Sequence, residues 1–446
     1  MPKFLKSLAV LLALPLVLVG CKINTINYFP PKPAHIRVVN VLGTTIPINV
    51  AANGVTAWTN LGFEAMTGYQ DFDNVDTKIA VTLTGFTSTL VEQSFPLTGD
   101  QSYTLVVFGT PTAPSLGIIS DVPTVPPSGK FELSVFAAAP VGNGIAVGLY
   151  PVDIYFTTPG QSIDTISPIL SNVNYSNRYI VNENFSEGVY QLRMTTFNTN
   201  TNLKSVVYDS GPITFAGGTA TDLIVYSRGS TILPNVMLND SDGAGLQRIA
   251  NNLLARIKVV NGAFQNGNVN LLLNGARIVS DLAYNTASSY SIIPAGAATV
   301  SFEASATPGA TIASLSNTFL GATDQTVFVA GFAGSTTAVA LKDNNFPPAS
   351  SATAIRYVNA SPDAGTLDAF ANDVLQAPLI ATYTGSDPVL IAANTYTVTF
   401  KDHVAGLPVL ALPSLGFNPL QNYSIYIIGS AASPGSLVGL ATADSP

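Results

Sequence analysis

The chain has one cysteine, two histidines, one tryptophan and four methionines in 446 residues, and only 10% of its residues are charged. A single cysteine excludes an internal disulfide framework, so an exported chain of this size must be held together by burial alone. Two histidines far apart in sequence, His35 and His403, cannot assemble a His-based triad or a thiolate zinc site without partners grouped around them, and both are read as surface residues. Basic residues are scarce as well. With 18 Lys and Arg against 26 Asp and Glu the net charge is −8, and loss of residues 1–20 with Lys3 and Lys6 would leave −10. No Lys/Arg cluster offsets that charge, so nucleic-acid binding is excluded. No Gly-x-Ser-x-Gly elbow or Walker loop is present, and Gly142-Asn-Gly-Ile-Ala-Val-Gly148 has the wrong spacing for a dinucleotide loop.

Long apolar runs are also missing, with one exception. Lys3 and Lys6 precede an apolar stretch from Leu8 to Val19 that stops at Gly20-Cys21. This is the layout of a secretory signal and falls short of the roughly 20 apolar residues a spanning helix needs. Leu18-Val19-Gly20-Cys21 resembles the lipobox of bacterial lipoproteins. The resemblance implies a signal peptide over residues 1–20, a diacylglycerol on Cys21, and a membrane as partner through two or three acyl chains, enough for stable anchoring. In Gram-negative lipoproteins Asp after the cysteine commonly means inner-membrane retention, so Lys22 points to the outer membrane.

What is present in abundance is short alternating segments rich in Val, Ile, Thr, Tyr and Phe, punctuated by 36 Gly and 30 Pro. Such a pattern predicts an all-β chain of tandem antiparallel β-sandwich (Ig-like) domains in place of βαβ units. The segments repeat. Ile36-Arg-Val-Val-Asn40, Ile257-Lys-Val-Val-Asn261 and Ile355-Arg-Tyr-Val-Asn359 are near-copies, and seventeen residues after each leading isoleucine comes a turn pair, Asn53-Gly54, Asn274-Gly275 or Asn372-Asp373. Asn-Gly between apolar runs is a strong signal for a type I′ hairpin. In the later two copies Gly296 and Asn394 open the runs Thr299–Phe302 and Thr397–Phe400, and in all three a strand ends at glycine: Gly109, Gly331 and Gly429. The wide gap between the first two copies leaves room for a divergent unit, with Leu133–Phe136 and Leu223–Ser227 as strands and an insertion between Leu133 and Gly188. The expected organisation is a linker over 21–34 and sandwiches over 35–122, 130–242, 255–346 and 353–446. Pro30-Pro-Lys-Pro33, Pro123 to Pro127 and Pro347-Pro348 mark the joints, and Pro-rich joints predict a semi-rigid rod. One short helix is expected around Leu246 to Leu254, where Leu246, Ile249, Ala250 and Leu253 share a face.

Ala255-Arg-Ile-Lys-Val-Val-Asn261 with Val269-Asn-Leu-Leu-Leu-Asn-Gly275 and Ile293-Pro-Ala-Gly296 resembles the DUF4397 family of bacterial envelope proteins. The best single match is Ile355-Arg-Tyr-Val-Asn-Ala-Ser-Pro-Asp-Ala364 with Leu367-Asp-Ala-Phe370, where Asn359 stands in place of the family's frequent His. The resemblance covers 255–446 well, 35–120 less well and 130–245 poorly. It implies a β-sandwich and no activity.

Three weaker candidates complete the reading. Asn239-Asp-Ser-Asp-Gly243 places Asp240, Asp242 and Gly243 at calcium-loop positions three, five and six, but Leu238 and Ile249 occupy positions one and twelve, so a polar turn is expected and no metal. Asp71, Asp73 and Asp76 form a second acidic group. Within the insertion, Tyr175, Tyr179 and Phe185 lie close together, where a ring platform for a glycan would be sought first, although aromatics at strand spacing are usually core. The expected protein is a non-catalytic, lipid-anchored envelope protein with an adhesive, scaffolding or surface-structural role. The alternative is a glycan-binding lipoprotein serving a polysaccharide-degrading or uptake system. No cofactor is expected, and the partner is an envelope protein or a glycan.

Overall fold

A computed structural model describes residues 32–73, 75–121, 125–139, 149, 151–198, 203–230, 232–240, 247–348, 351–433 and 435–444. Among these residues every regular element is a strand, and each of four successive modules is two sheets packed around its own apolar core. Module 1 shows the plan. One sheet orders Ala65–Met66, Ala34–Asn40, Ser102–Thr110 and Ala113–Ser120, with Gln70–Phe72 also on Ala34–Asn40, and the second orders Val55–Leu61, Ile48–Ala52, Asp76–Leu83 and Thr89–Pro96. Modules 3 and 4 repeat this order from Leu254–Phe264 and Ala352–Asn359. Module 2, opening at Lys130–Ala137, carries instead one long strand, Arg178–Ser186, on its first edge and adds Gln247–Ala250 on the other.

The hairpin turns form as their residues require. Asn53, Asn274 and Asn372 have φ of 50°, 47° and 46°, and each following residue, Gly54, Gly275 or Asp373, is also left-handed, the type I′ geometry. Each asparagine is held there by its own side chain, whose Oδ1 accepts the N–H of Lys78, Thr299 or Thr397 at 2.8–2.9 Å. The strand-ending glycines are equally constrained: a Cβ on Gly109, Gly331 or Gly429 would collide with the carbonyl of Ala113, Ser335 or Ser436 across the hairpin.

The pentapeptide repeat can be decoded residue by residue. Ile36 and Val38 point into the core of module 1, while Val39 faces the opposite side. Asn40, Asn261 and Asn359 are fully buried staples: each Nδ2 donates to two carbonyls, Leu61 and Gly62, Gly267 and Leu282, or Gly365 and Ile380. Each Oδ1 accepts the N–H two residues on.

Several findings differ from the sequence reading. The sheets are antiparallel except at one place per module, where the first strand lies parallel to the strand after the last crossover, as Ala34–Asn40 does to Ser102–Thr110. These strands are buried on both faces, which is why they read as nearly unbroken apolar runs such as Leu105-Val-Val-Phe108. The helix expected over Leu246–Leu254 does not form in its described residues, 247–254. Gln247–Ala250 is a strand added to the edge of module 2 and Leu254 opens module 3, so edge pairing overrode a short and ambiguous 3.6-residue pattern.

The second buried face of each central strand is covered by another module. Val39, Val41, Val106, Phe108 and Ile119 of module 1 pack on Phe136, Ala138, Ile224, Tyr226 and Met237 of module 2. Val260, Phe328 and Ala330 of module 3 pack on Val358, Ala360, Tyr426 and Ile428 of module 4. The modules therefore stand as two face-to-face pairs, 1·2 and 3·4, and not as beads along a rod. Nor does the 347–348 joint extend into solvent. Pro347 and Pro348 are buried, Asn345 N–H donates to Gly229 O at 2.9 Å, and the Phe346 ring lies where Gly43 leaves room for it.

Candidate functional site

Most of the charged side chains that fold inward gather in the two joints between paired modules, and their placement follows from the strand register. The second residue of each repeated pentapeptide points away from its own core, so Arg37, Lys258 and Arg356 enter the joints, opposite Thr104, Thr326 and Ser424 on the parallel neighbour. Module 2 departs here. It has Ser134 at the cation's position and Asp222 at the hydroxyl's.

In the 3·4 joint the charges are exchanged between modules. Lys258 of module 3 pairs with Asp444 of module 4, and Arg356 of module 4 reaches Asp343, which follows the last strand of module 3, at 2.7 Å. Tyr290 and Thr326 hydroxyls donate to Asp343 Oδ2 at 2.6 and 2.8 Å, and Ser424 donates to Asp444 Oδ2. Arg256 forms a two-pronged pair with Asp324, which also accepts from Asn345. Burial pushes the Asp343 carboxyl up, but Arg356 and Lys258 outweigh it and hold the group below the usual carboxylate range.

The 1·2 joint is less evenly matched. Arg37 donates through Nε to Thr104 Oγ1 at 2.8 Å and through Nη2 to the Asp240 carbonyl at 3.1 Å, and its nearest carboxylate, Asp121, is 3.9 Å away. Asp121 accepts the Tyr69 hydroxyl at 2.6 Å and lies within bonding distance of Thr104. Asp222 is bound by Ser134 and by Arg178 at 3.2 Å. Burial, then the neighbouring Asp222, pushes Asp121 up to about 6, against the pull of Tyr69, Arg37 and Thr104. Burial likewise raises Asp222. At the rim Glu64 of module 1 takes the Tyr226 hydroxyl and the Arg228 guanidinium of module 2.

This arrangement suits cohesion better than turnover. The cavity beside Asp343, Arg356 and Asp444 holds about 10 Å³ and that beside Ser134, Arg178 and Asp222 about 30 Å³, room for water and not for an organic substrate. A depression of about 550 Å³ on module 3 is shallow and lined by Asn274, Thr299, Ser316 and Asn317 with neither ring nor carboxylate.

The residues singled out from sequence lie elsewhere. Cys21 is outside the described residues, as are Asp242, Gly243 and the 142–148 glycines. His35 contacts Asp71 at 2.6 Å and His403 contacts Asp368 at 3.0 Å, each at a module surface. Asp71 thus leaves the acidic group with Asp73 and Asp76, and among the described residues no group of three metal-ligating side chains converges. The Asp240 carboxylate is engaged by Thr221 and Arg248. The insertion's rings turn inward: Phe185 stacks on Phe131 at 5.5 Å, Tyr179 packs on the module 2 core, and Tyr175 meets Phe108 edge-on in the 1·2 joint. Sequence reasoning missed the joint residues. Their signal was available, since the cation repeats within the pentapeptide and Asp121, Asp343 and Asp444 close the first, third and fourth copies.

Fold and joints together define a tandem β-sandwich protein whose modules adhere in pairs. The chain belongs to the family described as a domain of unknown function (DUF4397), which matches residues 34–148, 255–370 and 354–446. The first two matches run past one sandwich into the first strand of its paired module, while residues 149–254 of module 2 lie outside all three. No curated protein matches the chain.

Proposed function

We propose that this protein is a non-catalytic, lipid-anchored scaffold of the bacterial cell envelope, tethered through Cys21, with the outer membrane as its seat. The observation that carries the reading is where the buried charge goes. Lys258, Arg356, Asp343 and Asp444 are engaged with one another inside a joint, and a carboxylate locked to a cation in a closed interface is spent on holding modules together. The lipobox-like Leu18–Cys21 supports the anchor. The described rings of the insertion, Tyr175, Tyr179 and Phe185, turn inward and offer a glycan no platform, which supports the scaffold reading. The test is metabolic labelling with an alkynyl fatty acid and fractionation of cells making the wild type or Cys21→Ala. The wild type should carry label and sediment with membranes, and the variant should lose both; a labelled variant, or an unlabelled wild type, would overturn the anchor.

A further inference from the structure

The cation position of the repeated pentapeptide holds arginine in modules 1 and 4 but lysine in module 3, and Lys258 is the only buried lysine among the described residues. Arginine is the better buried ion-pair partner, because its planar fork can bond a carboxylate twice. Of the two, only lysine carries a nitrogen that can give up a proton and attack carbon. Lys258 Nζ sits against Asp444 Oδ1, and the two side chains are 2% and 6% exposed. Thr442 Oγ1 lies 3.3 Å from both of these atoms. The second carboxylate oxygen, Oδ2, accepts the Ser424 hydroxyl at 2.5 Å and faces the Arg356 guanidinium at 4.0 Å. Tyr290 covers the amine, its ring centre 5.3 Å from Nζ. The cavity of about 10 Å³ beside Asp444 has room for about one water. The pairs Lys32–Asp100, Lys78–Glu92 and Lys401–Asp373 are by contrast open to water.

We propose that Lys258 and Asp444 condense after folding into an isopeptide bond that fastens module 4 to module 3. The pair starts as ammonium and carboxylate: burial disfavours the Lys258 charge, but Asp444 outweighs it. A proton first moves from Nζ to Asp444 Oδ1, directly or through the Thr442 hydroxyl, leaving a neutral amine and a neutral acid. In a closed joint this transfer is eased, because both ions have already given up their hydration. The amine lone pair then attacks Cγ, and the displaced carbonyl electrons settle on Oδ2, where Ser424 donates and Arg356 supplies positive charge, as in an oxyanion hole. A second proton passes from the nitrogen to Oδ1, the C–Oδ1 bond breaks, and Oδ1 leaves as water while the carbonyl re-forms on Oδ2. Ammonium and carboxylate thus become amide and water, with no oxidant or cofactor consumed. Free solutes condense this way poorly; contact and the exclusion of water supply the effective concentration. Arg37 and Arg356 cannot follow, since a guanidinium keeps its proton. The bond joins residues 186 apart in sequence and ties the end of the last strand, Val438–Ala443, to Leu254–Phe264 of module 3. It goes beyond the scaffold reading and does not depend on the Cys21 anchor.

Tryptic mapping of the full-length chain, purified folded in detergent and then denatured for digestion, tests this directly. The wild type should yield Ile257–Arg277, uncut after Lys258, joined to Asp402–Pro446, the joined species one water lighter than the two peptides together. Fragmentation should place the link at Lys258 and Asp444. Lys258→Arg keeps the charge but removes the nucleophile, so its map should lack the joined species, and its chain should run more slowly than the cross-linked wild type in a denaturing gel. A folded wild-type chain that yields the two peptides separately, cut after Lys258, overturns the proposal, as does a link to any other residue. Should Lys258→Arg not fold, the wild-type map still decides.

Discussion

The joints 1·2 and 3·4 share a scaffold and an apolar centre, and they differ in the polar half. In 3·4, cation and acid sit at matching positions of two similar modules, so the pairs cross reciprocally, Lys258 to Asp444 and Arg356 to Asp343, as in an isologous interface. In 1·2 the divergent module replaces cation by Ser134 and hydroxyl by Asp222, and reciprocity is lost. Duplicated modules thus keep the apolar face that makes them stick, while the charged positions are where two otherwise similar joints become different.

Breaking one buried pair should expose that difference most strongly. Arg356→Met leaves Asp343, which is 1% exposed, without its nearest cation and should cost about 3–5 kcal/mol in chemical denaturation. Adding Asp343→Leu should recover most of the loss, since a joint filled with apolar side chains needs no compensating charge. A double variant as unstable as the single would mean that Arg356 acts through packing alone.

Acid should loosen the 3·4 joint next. Asp343 is held below its ordinary value by Arg356 and Lys258 despite burial. Its stabilisation is therefore complete above the unfolded value and is lost only as pH falls below about 4. Thermal melting followed on modules 3 and 4 should be flat from pH 7 to 5 and fall beneath 4. A fall already at pH 6 in modules 3 and 4 would contradict the assignment.

The smallest effect concerns what the joints share. Ile224→Val and Ile428→Val each remove one buried methylene from equivalent apolar centres and should cost about 0.5–1.5 kcal/mol apiece, equal within error. Unequal losses would show that one centre is packed more loosely than the other.

Much of a single module was legible in the chain. Period-2 runs located strands, Asn53-Gly54 and its counterparts located hairpins, and the repeated asparagine and glycine had local reasons to recur. The stretch Leu246–Leu254 was not legible, because nine residues with apolar positions at helical spacing fit a strand joining an open edge equally well. The insertion's aromatics were ambiguous for a related reason: a ring's presence says nothing about which side of the sheet covers it, and Phe185 and Tyr175 are covered by different layers. The joints escaped notice because their partners are remote, Lys258 and Asp444 lying 186 residues apart.

By itself the sequence determined that this is a β-chain of repeated modules, because strand period, turn chemistry and cavity-sized glycines act over a few residues and leave local marks. Only tertiary structure decided that the modules clasp in pairs around buried charge. An apolar residue on a strand covered from both sides reads the same whichever body covers it, and an ion pair exists only once folding has brought distant residues within a few ångströms.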